Sequence, residues 1–364
     1  MSTYMLLGGG TAGHVNPLLA VAERIREQEP GSEIIIVGTA EGLEARLVPE
    51  RGFELHVIER LPLPRSLNSQ TLSFPRRFNA AVRDLRQLIR RRGVEVVVGF
   101  GGYASAPGYE AARKENVPIV IHEANAKPGL ANRLAARYTP YVGVAFTSTR
   151  IRNAHLVGMP LRPEIETLDR AQARQRAISH FGLNPSKPVL LVTGGSQGAR
   201  SLNLALSSAA TEITDLGWQV LHIWGERTEI DAPDVADYHV LRYCDRMDLA
   251  LAVADFAISR AGSATVSELA GLGIPSLLVP YPVGNGEQKY NAQDLVAAGG
   301  AKVVADARLS PEWLSQNIWP ILRDPSEISA MGGRASNAGS LDGTEKLLAL
   351  VRNAQATHGT VERR

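Results

Sequence analysis

The sequence predicts an α/β protein made of two doubly wound, Rossmann-like domains, each a parallel sheet wrapped by helices. Short apolar runs alternate with amphipathic stretches along all 364 residues, which is the pattern of parallel strands joined by helical crossovers. Two glycine-rich turns, at residues 8–13 and 194–198, each follow an apolar run and each open a helix. The length also exceeds what one ordinary core accommodates, so two domains facing each other across a cleft are expected.

Twelve apolar runs are candidate strands, six in each half. The first six are 4–7, 33–37, 55–58, 94–98, 119–121 and 142–145. The second six are 189–192, 220–223, 239–242, 256–258, 276–279 and 302–304. Proline and polar residues interrupt this pattern near the middle, which predicts an N-terminal domain over 1–160, a linker over 161–188 and a C-terminal domain over 189–340.

Composition excludes several classes of protein. Hydrophobic residues make up 44% and charged residues 21% of the chain, values typical of a globular protein. A net charge of +2 gives no argument for nucleic-acid binding. The lone cysteine, Cys244, excludes an intramolecular disulfide and fits a reducing cytoplasm. No signal peptide is visible, and no apolar run approaches the ~20 residues that span a bilayer.

The glycine turns predict anion sites, because glycine permits close approach and the following helix directs free N–H groups at the ligand. Gly8, Gly10 and Gly13 also match the dinucleotide fingerprint. That fingerprint needs an acid after the second strand, and here none occurs before Glu41. A NAD-dependent dehydrogenase is therefore a minor alternative. The structural alternative is that the glycines only permit a tight turn.

A third loop, residues 260–268, follows the apolar run 256–258 and also opens a helix. Glu268 lies in the second turn of that helix, where a carboxylate can accept both hydroxyls of a ribose. Gln288 and Asn291 follow the next strand, and amide side chains suit sugar hydroxyls because each offers donors and an acceptor. Three such loops together favour a nucleotide-sugar site.

At this point the motifs resemble one family. Gly-Gly-Thr-Ala-Gly-His ends at His14, Gly-Phe-Gly-Gly-Tyr ends at Tyr103, and His-Glu-Ala-Asn spans 122–125. With the second and third loops, they resemble in order the MurG family of glycosyltransferases. The resemblance implies a GT-B fold, with UDP-N-acetylglucosamine (UDP-GlcNAc) held mainly by the C-terminal domain. It also implies that residues 341–364 return toward the N-terminal domain before a frayed tail.

The implied reaction transfers N-acetylglucosamine from UDP-GlcNAc to the 4-hydroxyl of undecaprenyl-diphospho-muramoyl-pentapeptide (lipid I), forming lipid II for peptidoglycan with inversion at the sugar. By the same resemblance the donor contacts are expected at Thr11, Ala12, Gly13, Asn125, Arg162, Ser196, Cys244, Ser263, Ala264, Thr265, Val266, Ser267, Glu268 and Gln288. Tyr103, Glu123 and Asn132 match positions that face the acceptor. Cys244 replaces an aliphatic residue that meets uracil largely through its backbone.

For the catalytic base we favour His14, the histidine within a glycine loop, because an imidazole titrates near neutral pH. Its alternative role is local, orienting the turn or a phosphate. Glu123 is the rival base, or the residue that orients His14. No D-x-D motif occurs in the chain, so neither a metal nor another cofactor is expected. Helix N-termini, loop amides and Arg162 would instead offset the diphosphate charge.

A lipid-linked acceptor requires contact with a membrane. The segment between Leu61 and Arg92 combines apolar residues with arginines; from residue 76 on these stand at 76, 77, 83, 86, 90, 91 and 92, against one acid, Asp84. It predicts peripheral, salt-sensitive binding to an anionic surface at the cytoplasmic face of the membrane. The alternative is an ordinary core-facing helix with a solvated basic side.

Two further functions stay open at this stage. A GT-B enzyme that glycosylates a soluble natural product would share the donor half of the sequence. A non-catalytic nucleotide-sugar-binding protein of the cell-division machinery would keep the loops without turnover. Cell-wall assembly proteins are possible partners of the lipid I transferase.

Overall fold

The computed structural model describes residues 2–62, 69–195, 198–226, 231–283 and 286–361. It divides into two compact units. Unit 1 comprises Met1–Arg162 together with Asp342–Arg364, and unit 2 comprises Pro163–Leu341.

Unit 1 contains a seven-stranded parallel sheet with the order β3-β2-β1-β4-β5-β6-β7. Its strands are β1 (Thr3–Leu7), β2 (Glu33–Thr39), β3 (Glu54–Ile58), β4 (Val96–Gly99), β5 (Ile119–Glu123), β6 (Val142–Val144) and β7 (Ala154–Leu156). The helices are α1 (Ala12–Gln28), α2 (Glu44–Glu50), α3 (Ser69–Arg92), α4 (Ser105–Lys114), α5 (Leu130–Ala135) and, after unit 2, α17 (Gly343–Val361).

Two apolar clusters cover the two faces of this sheet. Because side chains alternate along a strand, Met5 and Leu7 of β1 enter the cluster that also receives α3, α4 and α5. Tyr4 and Leu6 enter the opposite cluster, which α1 covers. The C-terminal helix α17 completes this second cluster with four buried side chains, Leu347, Leu348, Val351 and Ala354. Unit 1 is thus built from two separate stretches of the chain.

Unit 2 contains a six-stranded parallel sheet with the order β10-β9-β8-β11-β12-β13. Its strands are β8 (Val189–Thr193), β9 (Gln219–Ile223), β10 (Tyr238–Leu241), β11 (Phe256–Ser259), β12 (Ser276–Leu278) and β13 (Ala301–Val303). Its helices, besides a 3-10 turn at Asp306–Arg308, are α6 (Pro163–Glu166), α7 (Arg170–Phe181), α8 (Arg200–Ser208), α9 (Ala210–Asp215), α10 (Met247–Val253), α11 (Ser263–Gly271), α12 (Glu287–Asn291), α13 (Gln293–Ala297), α14 (Pro311–Asn317), α15 (Trp319–Leu322) and α16 (Pro325–Ala338).

Most of the stretch 161–188, predicted as a linker, is an ordered part of unit 2. Helix α7 begins with Asp169, whose side chain accepts from the Gln172 N–H, and ends at Gly182 in the left-handed conformation. The Arg174 guanidinium forms two hydrogen bonds with Asp255, at 3.0 and 2.8 Å, which tie the helix to the strand that follows. The prediction left this stretch outside both domains because a short polar helix carries little apolar periodicity.

The predicted fold class is confirmed. All twelve candidate strands occur, within two residues at each end. Strand β7 was not predicted, because its three residues are exposed at the sheet edge and carry no apolar pattern. Within the described ranges, no helix combines the length and apolarity needed to cross a membrane.

Candidate active site

The glycine loops lie where each sheet reverses its strand order. In unit 1 the order changes direction between β1 and β4, and in unit 2 between β8 and β11. Within each unit, the loops that follow these two strands therefore leave neighbouring carboxyl ends of the same sheet. Such a position is where doubly wound sheets bind ligands.

The first glycine loop is held by a buried carboxylate that the sequence did not reveal. Glu44 is 1% exposed. Its Oε2 accepts from the Gly10 N–H at 2.8 Å, and its Oε1 accepts from the N–H and hydroxyl of Thr39 at 2.9 and 2.8 Å. The Gly8 N–H donates to the Val37 carbonyl. Two amides of this loop are thus bonded within unit 1, and the nearby negative charge disfavours a phosphate beside Gly10.

His14 lies in the first turn of α1, against the same loop. Its Nδ1 is 3.2 Å from the Gly9 carbonyl oxygen and 3.3 Å from the Thr11 hydroxyl. Because a carbonyl oxygen only accepts, the Gly9 contact is a hydrogen bond in the tautomer that carries the proton on Nδ1 and the lone pair on Nε2. The side chain is partly exposed. An imidazole in this state can accept a proton at Nε2.

The turn after β4 requires glycine at two positions. Gly101 and Gly102 have φ values of +95° and +83°, which other residues rarely adopt. A Cβ on Gly101 would lie 3.0 Å from His14 Nε2, and one on Gly102 would lie 2.5 Å from the Gly9 carbonyl oxygen. These two glycines therefore leave room for the imidazole and for the first loop.

Glu123 and Asn132 lie in the interior of unit 1, 3% and 2% exposed. The Glu123 carboxylate accepts from the N–H groups of Asn125 and Gly129, both at 3.0 Å, and from the Asn132 amide at 2.9 Å. Asn132 Oδ1 accepts from the Tyr109 hydroxyl at 2.8 Å. These bonds shape the loop between β5 and α5.

His122 is completely buried beside this loop. Its Nε2 donates to the Gly158 carbonyl at 3.0 Å. Burial, the largest cause, lowers the pKa of His122 to about 4, so the ring is neutral at neutral pH. It acts as a fixed dipole there and not as a charge.

The remaining predicted residues of unit 1 are more open. The Tyr103 hydroxyl accepts from Arg60 at 3.4 Å, and the Arg60 guanidinium lies 4.9 Å from the centre of the Tyr103 ring. Asn125 and Arg162 are partly exposed. Thr11 and Ala12 are exposed at the start of α1, which no side chain caps. Unit 1 therefore brings Thr11, Ala12, Gly13 and His14 together on one turn.

In unit 2, Ser196 of the second loop lies outside the described residues. The flanking glycines Gly195 and Gly198 have φ values of +84° and +79°. The Gly198 N–H donates to the Gly195 carbonyl, and α8 then begins without a side-chain cap.

The third loop leads into α11, whose N-terminus also lacks a side-chain cap. The first N–H bonded within the helix is that of Val266, which donates to Gly262. Among the described residues, the N–H groups of Ser263, Ala264 and Thr265 meet no acceptor, so they are free to bind an anion. The side chains of Ser263 and Val266 are buried, whereas Ala264, Thr265, Ser267 and Glu268 are partly exposed.

A buried ion pair supports the third loop, and the sequence analysis did not assign it a role. Arg260, 8% exposed, pairs with Asp306 and donates to the Ser201 hydroxyl at 3.0 Å and the Val279 carbonyl at 3.2 Å. Ser201 donates to Asp306 at 2.6 Å. The network joins the loop to α8, to the end of β12 and to the 3-10 turn. Because these residues lie far apart in sequence, no local sequence pattern indicates the network.

The other predicted donor residues lie nearby in unit 2. Gln288 accepts from the Tyr281 N–H at 2.9 Å, which orients its amide after β12. Asn291, 1% exposed, donates to the Ala261 carbonyl at 3.3 Å and so holds the third loop. The Cys244 side chain is buried, 8% exposed, which leaves mainly its backbone for a ligand. Across the described residues, no three His, Cys, Asp or Glu side chains form a group suited to a metal ion.

The segment predicted to face a membrane is largely a core helix. Leu61 is buried, contrary to the expectation of exposed apolar residues, and Val82, Leu85 and Ile89 of α3 enter the core. Residues 63–68 lie outside the described part. Four arginines pair with carboxylates: Arg77 with Glu59, Arg86 and Arg90 with Glu115, and Arg92 with Glu33 and Glu54. Arg76, Arg83 and Arg91 are exposed.

Comparison with known sequences places both units in one family. Models described as the N-terminal and C-terminal domains of glycosyltransferase family 28 match residues 4–144 and 189–347. A curated relative from Leifsonia xyli subsp. xyli is 56% identical over 352 residues, covering 97% of this chain and 98% of the relative. One from Streptomyces coelicolor is 46% identical over 356 residues, covering 97% and 98%. Both are named UDP-N-acetylglucosamine--N-acetylmuramyl-(pentapeptide) pyrophosphoryl-undecaprenol N-acetylglucosamine transferase.

Solved structures give the same result. The crystal structure of Acinetobacter baumannii MurG matches with a TM-score of 0.81 and 28% identity, covering 97% of this chain and 100% of that one. A UDP-GlcNAc 2-epimerase from Neisseria meningitidis, bound to UDP-GlcNAc, matches with a TM-score of 0.69 at 12% identity, over 97% and 100%. The second match shows the fold alone. With its two parallel-sheet units and these matches, the chain is a GT-B enzyme that belongs to glycosyltransferase family 28.

Proposed function

We propose that this chain transfers N-acetylglucosamine from UDP-GlcNAc to the 4-hydroxyl of lipid I and thereby forms lipid II. The proposal rests on two relatives that are named as transferases of this kind. They are 56% and 46% identical to this chain and align with it over almost their whole length. The motifs of the first, second and third loops lie within the residues that the two family models match. The names of those relatives specify the undecaprenyl-linked muramyl pentapeptide as the acceptor, which makes a soluble acceptor the weaker alternative.

Unit 2 holds the donor in this proposal. The uncapped N-terminus of α11 offers the N–H groups of Ser263, Ala264 and Thr265 to the diphosphate. Glu268 follows on the same helix for the ribose hydroxyls, and Gln288, oriented by Tyr281, meets the sugar. As the bond between C1 and the diphosphate breaks, negative charge grows on UDP, and preorganised amides stabilise that charge without rearrangement.

Unit 1 supplies the base. His14 Nε2 carries the free lone pair, so it takes the proton of the acceptor hydroxyl while that oxygen bonds to C1 from the face opposite UDP. An α-linked donor then gives a β-linked product, and UDP leaves with the bonding electron pair. Glu123, with its three hydrogen bonds, positions the loop after β5 and is not the base.

The direct test is transfer of labelled N-acetylglucosamine to a lipid I analogue by the purified protein. We expect turnover with UDP-GlcNAc and turnover at least about tenfold lower with UDP-glucose or UDP-N-acetylgalactosamine, because a site built for one sugar leaves polar groups unpaired with another. A water-soluble muramoyl compound and a natural-product aglycone serve as competing acceptors. Preference for the aglycone, or donor binding without transfer, would contradict the proposal.

Access to a lipid-linked acceptor requires peripheral association with the cytoplasmic face of the membrane. The helices α3, α4 and α5 cover the same face of the unit 1 sheet, since all three enter one apolar cluster. On α5 and the turn after it, Leu130, Leu134 and Tyr138 are 51%, 46% and 60% exposed. Arg133 and Arg137 alternate with them and are also exposed. Apolar side chains among arginines suit an anionic lipid surface.

Flotation with vesicles tests this surface. We expect the wild type to bind phosphatidylglycerol-containing vesicles at low ionic strength, and phosphatidylcholine vesicles poorly. Arg133→Glu combined with Arg137→Glu should weaken the partition by at least about thirtyfold, since each basic residue near such a surface contributes ~1 kcal/mol and each added acid is repelled. Arg176→Glu, an exposed change in unit 2, is the matched control. Equal binding of the wild type to both vesicles would exclude the electrostatic contribution.

A further inference from the structure

The buried Glu44 carboxylate plays no part in the reaction as described above, yet the chain is arranged around it. A Cβ on Gly9 would lie 2.2 Å from its Oε1, and one on Gly42 would lie 2.0 Å from its Oε2. A Cβ on Gly38 would lie 2.5 Å from its Cγ. Three glycines from two loops and a strand thus leave the space that this side chain fills.

No cation neutralises this carboxylate. Among the described residues, Glu44 has no ion pair, and its three donors are the neutral groups of Gly10 and Thr39. A buried charge without a counter-ion is costly to keep. A glutamine would avoid the charge but would offer only one acceptor oxygen to donors that lie on two sides.

The bond to Gly10 leads directly to His14. The Gly10 N–H and the Gly9 carbonyl are the two ends of a single planar peptide group. Glu44 Oε2 accepts from the N–H end at 2.8 Å, and His14 Nδ1 lies 3.2 Å from the oxygen at the carbonyl end. A carboxylate at the N–H end polarises the peptide and makes its carbonyl a stronger acceptor, because hydrogen bonds in a chain reinforce one another.

We propose that Glu44 is a positioning residue that acts through the Gly9–Gly10 peptide group to keep the His14 proton on Nδ1 and the Nε2 lone pair free. The proposal rests on the proposed role of His14 as the base. It assigns to Glu44 the part that a carboxylate in direct contact with a histidine plays in other enzymes, with one peptide group interposed. We call this path from Glu44 through the Gly9–Gly10 peptide group to His14 the relay. The negative charge of Glu44 also stabilises the imidazolium that forms when His14 takes the acceptor proton.

Glu44→Gln tests the relay with little change in shape. A glutamine amide presents its oxygen on one side only, so its NH₂ group would face either Gly10 or Thr39 and lose that bond. We expect kcat to fall by about ten- to hundredfold, the usual cost of losing a group that orients a catalytic side chain. The KM for UDP-GlcNAc should change by less than about threefold, because unit 2 holds the donor.

Thr39→Val is the matched control. It removes the hydroxyl that donates to Glu44 Oε1 and leaves the Gly10 contact in place. We expect a loss of stability comparable to that of Glu44→Gln, with kcat within about twofold of the wild type. If both variants lose activity in parallel, Glu44 has a structural role only and the proposal is wrong.

Two measurements separate this proposal from the proposed role of His14. In a His14→Ala background, Glu44→Gln should cause no further loss, since residues that act as one unit are not additive. A full additional loss would overturn the relay. The ring ¹⁵N spectrum of His14 should show a protonated Nδ1 in the wild type and a mixture of tautomers in Glu44→Gln. If His14→Ala retains turnover while this spectral change occurs, the relay stands and the base assignment fails.

The ring ¹⁵N spectrum of wild-type His14 tests the proposal even if Glu44→Gln does not fold. A proton on Nε2 in the wild type would contradict the relay, because the Gly9 carbonyl would then have no donor. A proton on Nδ1 that is lost on Gly101→Ala, whose methyl group would press on the ring, supports it.

Discussion

His14→Ala is expected to lower kcat by about 10²- to 10⁴-fold, the usual contribution of a general base. The reason is local. With its proton on Nδ1, bonded to the Gly9 carbonyl, the ring has Nε2 as its only basic nitrogen, and the glycine at position 101 places no Cβ against that nitrogen. Alanine removes the proton acceptor and leaves the loop backbone intact. Steady-state transfer to a lipid I analogue gives kcat, and calorimetric titration gives the affinity for UDP-GlcNAc.

The affinity for UDP-GlcNAc should stay within about threefold in this variant, because the amides of α11 belong to unit 2. His180→Ala is a suitable control, since His180 is exposed on α7 in unit 2. If donor affinity falls while kcat is nearly unchanged, His14 binds phosphate and does not take a proton. In that case the base must be sought elsewhere.

Asp306→Ala should destabilise unit 2 by about 3–5 kcal/mol, because it leaves the buried Arg260 guanidinium without its counter-ion. Arg260 is 8% exposed and already has an Nε without a partner among the described residues. The Ser201 hydroxyl loses its acceptor in the same variant. Urea unfolding followed by circular dichroism gives the change in the free energy of unfolding. Donor affinity should fall as well, since Arg260 begins the loop that leads into α11.

Two comparisons make this result specific. Glu50→Ala removes an exposed partner of Arg46 and should cost no more than about 1 kcal/mol. Arg260→Met with Asp306→Leu replaces the pair by apolar groups of similar size. This double variant should recover most of the stability but not the affinity for the donor. If Asp306→Ala unfolds no more easily than Glu50→Ala, the pair is solvated and contributes little.

The fold could be predicted from the sequence because most of its elements have a recognisable local sequence pattern. Buried parallel strands appear as continuous apolar runs, and glycine marks the turn after β1, β8 and β11. The exceptions are informative. Strand β7 is exposed and α7 is polar, so neither carries the apolar signal. In α3 the charge pattern suggested a membrane surface, but its apolar face enters the core and four of its arginines pair with acids from other elements.

The site was only partly predictable. Candidate positions on the glycine loops, such as His14 and Ser263, could be proposed from the sequence because the loop and the residue lie in one motif. Glu44 could not, since its partner Gly10 lies 34 positions away in sequence and its role depends on space left by three glycines. Arg260 and Asp306 are likewise 46 positions apart. Contacts of this kind depend on tertiary structure, which single-sequence patterns do not encode.

The split composition of unit 1 has a consequence during protein synthesis. Strands β1 to β7 leave the ribosome early, but Leu347, Leu348 and Val351 of α17, which cover one face of their sheet, emerge only after all of unit 2. Until then a growing chain exposes the part of that apolar face that α17 covers. A message cut short before codon 342 would yield a product in which this part of the sheet stays uncovered.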